Sequence, residues 1–273
     1  MIIKALVENT SVSSKFKSKH GLCLYIQTEK HKILFDLGPN GLFLENAVKT
    51  GVNIAEIDTV VISHGHVDHA GALALFLRHN GSAKIYIRES AFDKHYAKVL
   101  GLPFSVGLNS SLKGDKRLIF TGGVEVLDDE LTLFSDVRVN GLTPSSNKAL
   151  LAEINGKKRL DDFKHEQNLL VAEGGKVVLF AGCAHAGIVN IKKRAKQLAD
   201  GKPMEIVGGF HLYNPISKKH ESKELVDKIA LKLDDGETRY YTCHCTGQRA
   251  YGIMKEKLKG NLEYLSAGGE IEI

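Results

Sequence analysis

Three histidines and an aspartate fall within the six residues His64-Gly65-His66-Val67-Asp68-His69. Imidazole and carboxylate are the donors of zinc, manganese and iron centres. The set is larger than one ion of ordinary coordination needs, so the spacing reads as two ions. His64 and His66, two apart, can grip one. Asp68 and His69 continue around the turn and can face a second, about 3.5–4 Å away in a two-metal centre. The hydrophobic residues 59–62 lead into the cluster and the apolar, helix-like residues 70–77 lead out of it. That framing places the cluster on a strand-to-helix turn at the mouth of a buried strand, which a chance His-rich surface loop would lack.

Three further histidines occupy equivalent places downstream. Residues 177–180 read as a strand ending in Gly182-Cys183-Ala184-His185, residues 204–207 as one ending in Gly208-Gly209-Phe210-His211, and residues 239–242 as one ending in Cys243-His244-Cys245. Each feeds a helix pattern with apolar residues on one face. A lone histidine is usually structural. Three at equivalent strand ends, beside the first cluster, describe the edge of an open α/β sheet at which ligands bind. The helix N-termini after residues 70, 187 and 246 offer backbone N–H groups to an anion.

The stretch Ser63-His64-Gly65-His66-Val67-Asp68-His69-Ala70-Gly71 resembles the signature of the metallo-β-lactamase fold superfamily. It is most similar to the branch containing the dihydropterin-(ribofuranosyl)aminobenzene phosphate synthase and related metal-dependent hydrolases. Val7-Glu8-Asn9-Thr10, His20-Gly21-Leu22, residues 33–38, Gly182 to Asn190, Gly208 to Leu212 and Cys243 to Gly247 match that branch along nearly the whole chain. The resemblance implies a four-layer αββα sandwich in one domain over residues 1–273, with a substrate-covering segment near 88–145. It implies two divalent ions, zinc foremost, with manganese or iron as alternatives. His64, His66 and His185 are assigned to one ion, and Asp68, His69 and His244 to the other. Asp36, at the end of the buried run 33–35, is expected to support the metal turn through hydrogen bonds.

The chain departs from the superfamily pattern in two places. Residues 141–146 contain no histidine where an earlier ligand is usual, and His165 is a weak substitute for it. Gly182-Cys183 stands where glycine-aspartate would supply a bridging acid. Cys183 as thiolate, or His185, then takes that role. Imidazole is the commoner ligand and a bridging thiolate is open to oxidation, so His185 is expected to be the essential ligand, with Cys183 beneath it. Asp68 is expected to act as a base as well as a ligand, and His211 to touch substrate or orient a ligand. Glu8, Asn9, Lys94 and Tyr96 are candidate substrate contacts, and His95 and Lys98 belong to the same group.

Composition bounds the rest. The 273 residues suit a layered α/β unit, and 43% hydrophobic with 25% charged residues are globular values. The net charge of +5 is too mild and dispersed for a nucleic-acid surface. No apolar run reaches the ~20 residues of a membrane helix, and residues 1–7 are too short for a signal peptide. A cytoplasmic protein is expected, with no membrane or nucleic-acid partner and with homo-oligomerisation left open. Its four cysteines are then thiols or ligands rather than disulfides. No Gly-x-Ser-x-Gly elbow or P-loop is present. The leading reading is a dinuclear hydrolase of a small anionic, phosphorylated substrate. A transferase expelling pyrophosphate from a pterin diphosphate is the alternative, and a non-catalytic metal-binding or sensing domain is a further one.

Overall fold

The structure is a computed structural model that describes residues 1–273. Short runs rich in Val, Ile, Leu and Phe, punctuated by Gly and Asp, build two seven-stranded sheets. The first runs in the order Glu270–Glu272, Ile2–Val7, Cys23–Gln27, Lys32–Phe35, Thr59–Val61, Lys84–Ile87 and Leu118–Phe120. From Lys32 onward its neighbours are parallel. The second runs Leu262–Tyr264, Arg239–Thr242, Met204–Gly208, Lys176–Ala181, Asn168–Glu173, Leu131–Phe134 and Val124–Val126. Its strands 176–181, 204–208, 239–242 and 262–264 are parallel.

Both sheets are apolar on both faces, as sheets in the middle of a layered fold must be. Ile3, Leu24, Phe35 and Val61 of the first meet Leu133, Leu169, Phe180 and Val207 of the second in one buried cluster. The outer face of the first sheet is covered by the helices Leu42–Thr50 and Leu73–His79. That of the second is covered by Ile188–Leu198, Lys223–Leu233 and Gln248–Leu258. The result is the expected αββα sandwich. No helix is long and apolar enough to cross a membrane.

Three details differ from the sequence reading. The helix after the metal turn is broken into Val67–Ala70 and Leu73–His79 at Gly71-Ala72. Residues 137–139, an alternating run that reads as a short strand in the sequence, form no strand. Segment 88–145 is divided among three places instead of forming one cover. Its strands His95–Val99 and Leu102–Ser105 join Leu150–Ile154 and Lys157–Leu160 in a separate four-stranded sheet, while its later strands extend an edge of each large sheet.

Candidate metal centre

The ends of the parallel strands of both sheets meet at one place. Asp36, Ala184, His211 and His244 there adopt left-handed backbone conformations, with φ of 61°, 53°, 52° and 51°. Non-glycine residues rarely do so, and such strain concentrates at functional sites. The turns approach closely. A Cβ on Gly182 would collide with the Ser63 hydroxyl, which explains glycine before Cys183.

Four ligand-type imidazoles are held by the same device. Asp36 Oδ2 accepts the His69 Nδ1–H bond at 2.6 Å and the Ser63 hydroxyl at 2.7 Å, while its Oδ1 accepts the Ser63 amide at 2.7 Å. The Ser63 oxygen in turn accepts His64 Nδ1–H at 2.8 Å. Asn147 Oδ1 takes His185 Nδ1–H at 3.0 Å, and Asn9 Oδ1 takes His244 Nδ1–H at 2.9 Å. With Nδ1 occupied as donor, each ring presents Nε2 as a lone-pair donor, the arrangement by which outer hydrogen bonds orient metal-ligating histidine.

Those Nε2 atoms converge. His64, His66 and His185 each bury an Nε2 with no hydrogen-bond partner. Their rings lie within 4.6 to 5.2 Å of one another, centroid to centroid. A buried nitrogen without a partner is costly, and a cation shared by all three removes the cost. In the second set His69 Nε2 lies 3.1 Å from His244 Nε2 and 3.1 Å from Cys183 Sγ. Asp68 Oδ2 is 3.6 Å from His69 Nε2 and 3.4 Å from His244 Nε2. A tetrahedral ion with bonds of about 2.0–2.3 Å spaces its ligands roughly 3.3–3.8 Å apart. The second set, spaced at 3.1–3.6 Å, is close to that geometry, and in the first set His64 and His185 share a group within 4.8 Å with Cys183.

The electrostatics agree. Burial, then the neighbouring imidazoles, holds His64 and His185 well below the ordinary histidine range; burial, then His165, does the same for His66. All three are therefore neutral and ready to donate. Burial pulls His69 down, but the Asp36 and Asp68 carboxylates outweigh it and push it up to about 9. Asp68 is held well below the usual carboxylate range: burial opposes this, and His69, His20 and His244 overcome it. The Asp36 and Asp68 carboxylates thus favour positive charge in the second set: a proton on His69 supplies it in the metal-free protein, and a bound cation would displace that proton.

Several expected contacts face elsewhere. Glu8 is fully buried. Its carboxylate accepts from the His244 and Thr10 amides and from the Thr10 and Tyr264 hydroxyls, each at 2.6–2.7 Å. Asn9 grips His244 at two points, its Nδ2 donating to the His244 carbonyl at 3.1 Å. Both residues position His244 and leave no polar atom free for substrate. Lys94 and Tyr96 bond the Glu153 carboxylate at 2.8 and 2.9 Å on the neighbouring strand of the small sheet, away from the centre. His95 is buried against Asp161. His165 spends both nitrogens, Nδ1 accepting the Gly65 amide at 2.9 Å and Nε2 donating to Asp161 at 3.2 Å, so it braces the metal turn and does not substitute for a ligand. Cys183 is not packed beneath His185, because its sulfur lies among the ligand atoms.

Other residues emerge only from the structure. Glu166, on the loop before Asn168–Glu173, accepts the His185 and Ala186 amides at 2.6 and 2.9 Å, and burial pushes its carboxyl up to about 7. Asn147 was likewise not legible. A cavity of about 180 Å³ opens onto Asp68, His211 and His244, with apolar walls from Val67, Leu150 and Ile216 and one cation, Lys98. His20 lies at its edge, with Nε2 3.1 Å from Asp68 Oδ2.

Residues 19–144, which include the His64–His69 turn, match the metallo-beta-lactamase superfamily. The chain is 28% identical to the uncharacterized protein MJ0448 of Methanocaldococcus jannaschii, over all of both chains. It is 29% identical to the 7,8-dihydropterin-6-methyl-4-(beta-D-ribofuranosyl)-aminobenzene-5'-phosphate synthase of the same organism, over 94% of this chain and 90% of the synthase. Among solved structures it is similar to Tm1679, a metal-dependent hydrolase of the beta-lactamase superfamily, with a TM-score of 0.84 and 29% identity over 100% of this chain and 99% of that one. This chain therefore has the sandwich fold of the metallo-beta-lactamase superfamily, whose family model matches residues 19–144.

Proposed function

We propose that this protein is a dinuclear metal-dependent hydrolase of a small anionic, phosphorylated molecule. The observation that carries the reading is the set of unpartnered Nε2 atoms on buried His64, His66 and His185, beside the second set of Asp68, His69, Cys183 and His244. The first set would hold one ion. Asp68, His69 and His244 would hold the other, with Cys183 Sγ as a thiolate ligand. Divalent cations there supply Lewis acidity toward a phosphoryl or acyl oxygen and acidify water.

The chain's own residues do the rest. Asp36, Ser63, Asn9 and Asn147 fix the ring orientations. Asp68 would act as base as well as ligand, and His20 Nε2, 3.1 Å from its Oδ2, holds the carboxylate in place. Lys98 meets an anionic group at the cavity, and Val67, Leu150 and Ile216 exclude water from its apolar part.

A transferase that expels pyrophosphate from a pterin diphosphate is a second reading, favoured by the similarity to the synthase over 94% of this chain. It uses the same charge stabilisation with a different nucleophile. Metal analysis of purified protein, followed by parallel assays with phosphoesters and with a pterin diphosphate plus an aromatic acceptor, tests both. Close to two equivalents of zinc, manganese or iron are expected. Phosphate release from the esters supports hydrolysis, and acceptor-dependent pyrophosphate release supports transfer. Protein that stays metal-free after supplementation with each ion overturns both readings.

A further inference from the structure

We propose a further cation site, made of Cys183, His211 and Cys245, that takes a thiophilic ion such as Zn(II), Cd(II) or Cu(I). The ligand atoms of these three residues all lie within 4.8 Å of one another. Cys183 follows the strand Lys176–Ala181, His211 follows Met204–Gly208 and Cys245 follows Arg239–Thr242, so the ends of three neighbouring parallel strands each contribute one donor. Two sulfurs and one imidazole are the soft donor set that selects such ions.

A second, independent observation points to a ligand. His211 is 9% exposed, yet both ring nitrogens are buried and have no hydrogen-bond partner. Every imidazole of the dinuclear sets with a bonded Nδ1 has only Nε2 to offer; His211 has both atoms. Its backbone is held in place, because its amide donates to Cys245 Sγ at 3.2 Å from a left-handed conformation. Gly209 permits that approach, since a Cβ there would lie 2.6 Å from the same sulfur. An ion on these three residues satisfies the orphaned nitrogen after small side-chain rotations, which bring the donors to the roughly 3.5–3.8 Å that Zn–N and Zn–S bonds impose.

Cys183 Sγ is also 3.1 Å from His69 Nε2. One sulfur can therefore join the further ion to the second ion of the dinuclear pair, as a bridging thiolate. All three residues line the cavity. Three protein ligands with an open fourth position are the pattern of a zinc that exchanges ligands, whereas closed four-ligand sets are structural.

The test is cadmium titration of reduced, metal-free protein, following stoichiometry and thiolate-to-cadmium charge-transfer absorption. Wild type should bind one equivalent more than Cys245→Ser or His211→Gln, and Cys245→Ser should lose about half of the charge-transfer amplitude. His211→Gln should keep the absorption of Cys183 while losing the further ion from the tightly bound stoichiometry. Far-ultraviolet circular dichroism identifies any variant that has not folded, and the other variant then decides. Equal stoichiometry in wild type and both variants overturns the site. If the His64 and His69 sets fail to bind while the Cys245-dependent absorption persists, the dinuclear reading fails and this site stands.

Discussion

Asn147 holds His185 at two points: its Oδ1 accepts the ring Nδ1–H at 3.0 Å, and its Nδ2 donates to the His185 carbonyl at 2.9 Å. Asn9 grips His244 in the same way, at 2.9 and 3.1 Å. A buried glutamate completes each clamp, Glu166 on the His185 amide and Glu8 on the His244 amide, both at 2.6 Å. The two halves of the site thus use one solution for aiming a histidine from a strained strand end. Replacing Asn147 with Ala should free the His185 ring and weaken metal binding by about 10–100-fold. Chelator competition measures this, and Asn9→Ala should act alike through His244. Wild-type affinity in both variants would show that the clamps are incidental.

Glu8 carries a stability prediction. Its carboxylate is the acceptor for four donors in a fully buried position. Glu8→Ala strands those donors at about 1–3 kcal/mol apiece, with relaxation and water entry absorbing part. A net loss of roughly 3–5 kcal/mol, the scale of breaking a buried charged network, is expected in urea denaturation of the metal-free protein. A loss under about 1 kcal/mol would mean that water replaces the carboxylate freely.

Asp36 acts on both ligand sets at once, on His69 directly and on His64 through Ser63. Asp36→Asn keeps the size but puts an amide donor or a weaker acceptor opposite the His69 Nδ1–H. Total bound metal should fall in both sites together, and inductively coupled plasma analysis after dialysis reads it. Loss from one site alone would break the link through Ser63.

The candidate ligands were legible because their types and local spacing carry the chemistry. His64, His66, Asp68 and His69 are adjacent in sequence, and the strand-end histidines repeat one pattern. The sandwich was legible because buried parallel strands are continuous apolar runs. What supports the ligands was not. Glu166 and His185 are nineteen residues apart and Asn147 is further off, and no local periodicity links a loop carboxylate to a strand-end amide. Glu8 and Asn9 show the opposite failure: their proximity to the site was readable, but the direction they face depends on how the first strand packs against Cys243-His244. Lys94 and Tyr96 were misplaced because strands 95–99 and 102–105 join 150–154 and 157–160 in a separate sheet, and pairing partners are not encoded in a strand's own composition.

Cys183 and His185 are separable by substitution. His185→Ala removes one of three donors of its set and leaves the second set intact. Cys183→Ser replaces a sulfur that lies 3.1 Å from His69 Nε2 with a harder, shorter donor. His185→Ala is expected to lose the ion of the His64 set and nearly all activity. Cys183→Ser is expected to retain that ion and to bind the other about tenfold or more weakly. Metal stoichiometry of the two variants side by side decides, and retention of both ions by His185→Ala would refute the ligand assignment.

The metal-free protein should show a stability maximum near pH 6.5, the ordinary histidine value. His64, His66 and His185 are held well below it, by burial first, and His244 is also lowered. As pH falls below about 6.5 the unfolded chain takes up protons that these buried rings refuse. Stability then declines by up to about 1.4 kcal/mol per pH unit for each such group. His69 has the opposite sign. Raised to about 9 by its carboxylate neighbours against the pull of burial, it contributes stability that is complete below 6.5 and is lost as pH rises toward 9. Glu166, pushed up to about 7 by burial, shares that sign between about 4.5 and 7 and offsets part of one histidine on the acid side. Denaturation of chelator-treated protein from about pH 5 to about pH 10 measures both limbs. His66→Gln should make the acid limb shallower, and Asp36→Asn should flatten the alkaline limb by removing the charge that raises His69. An acid limb unchanged in His66→Gln would show that its ring does not titrate with folding.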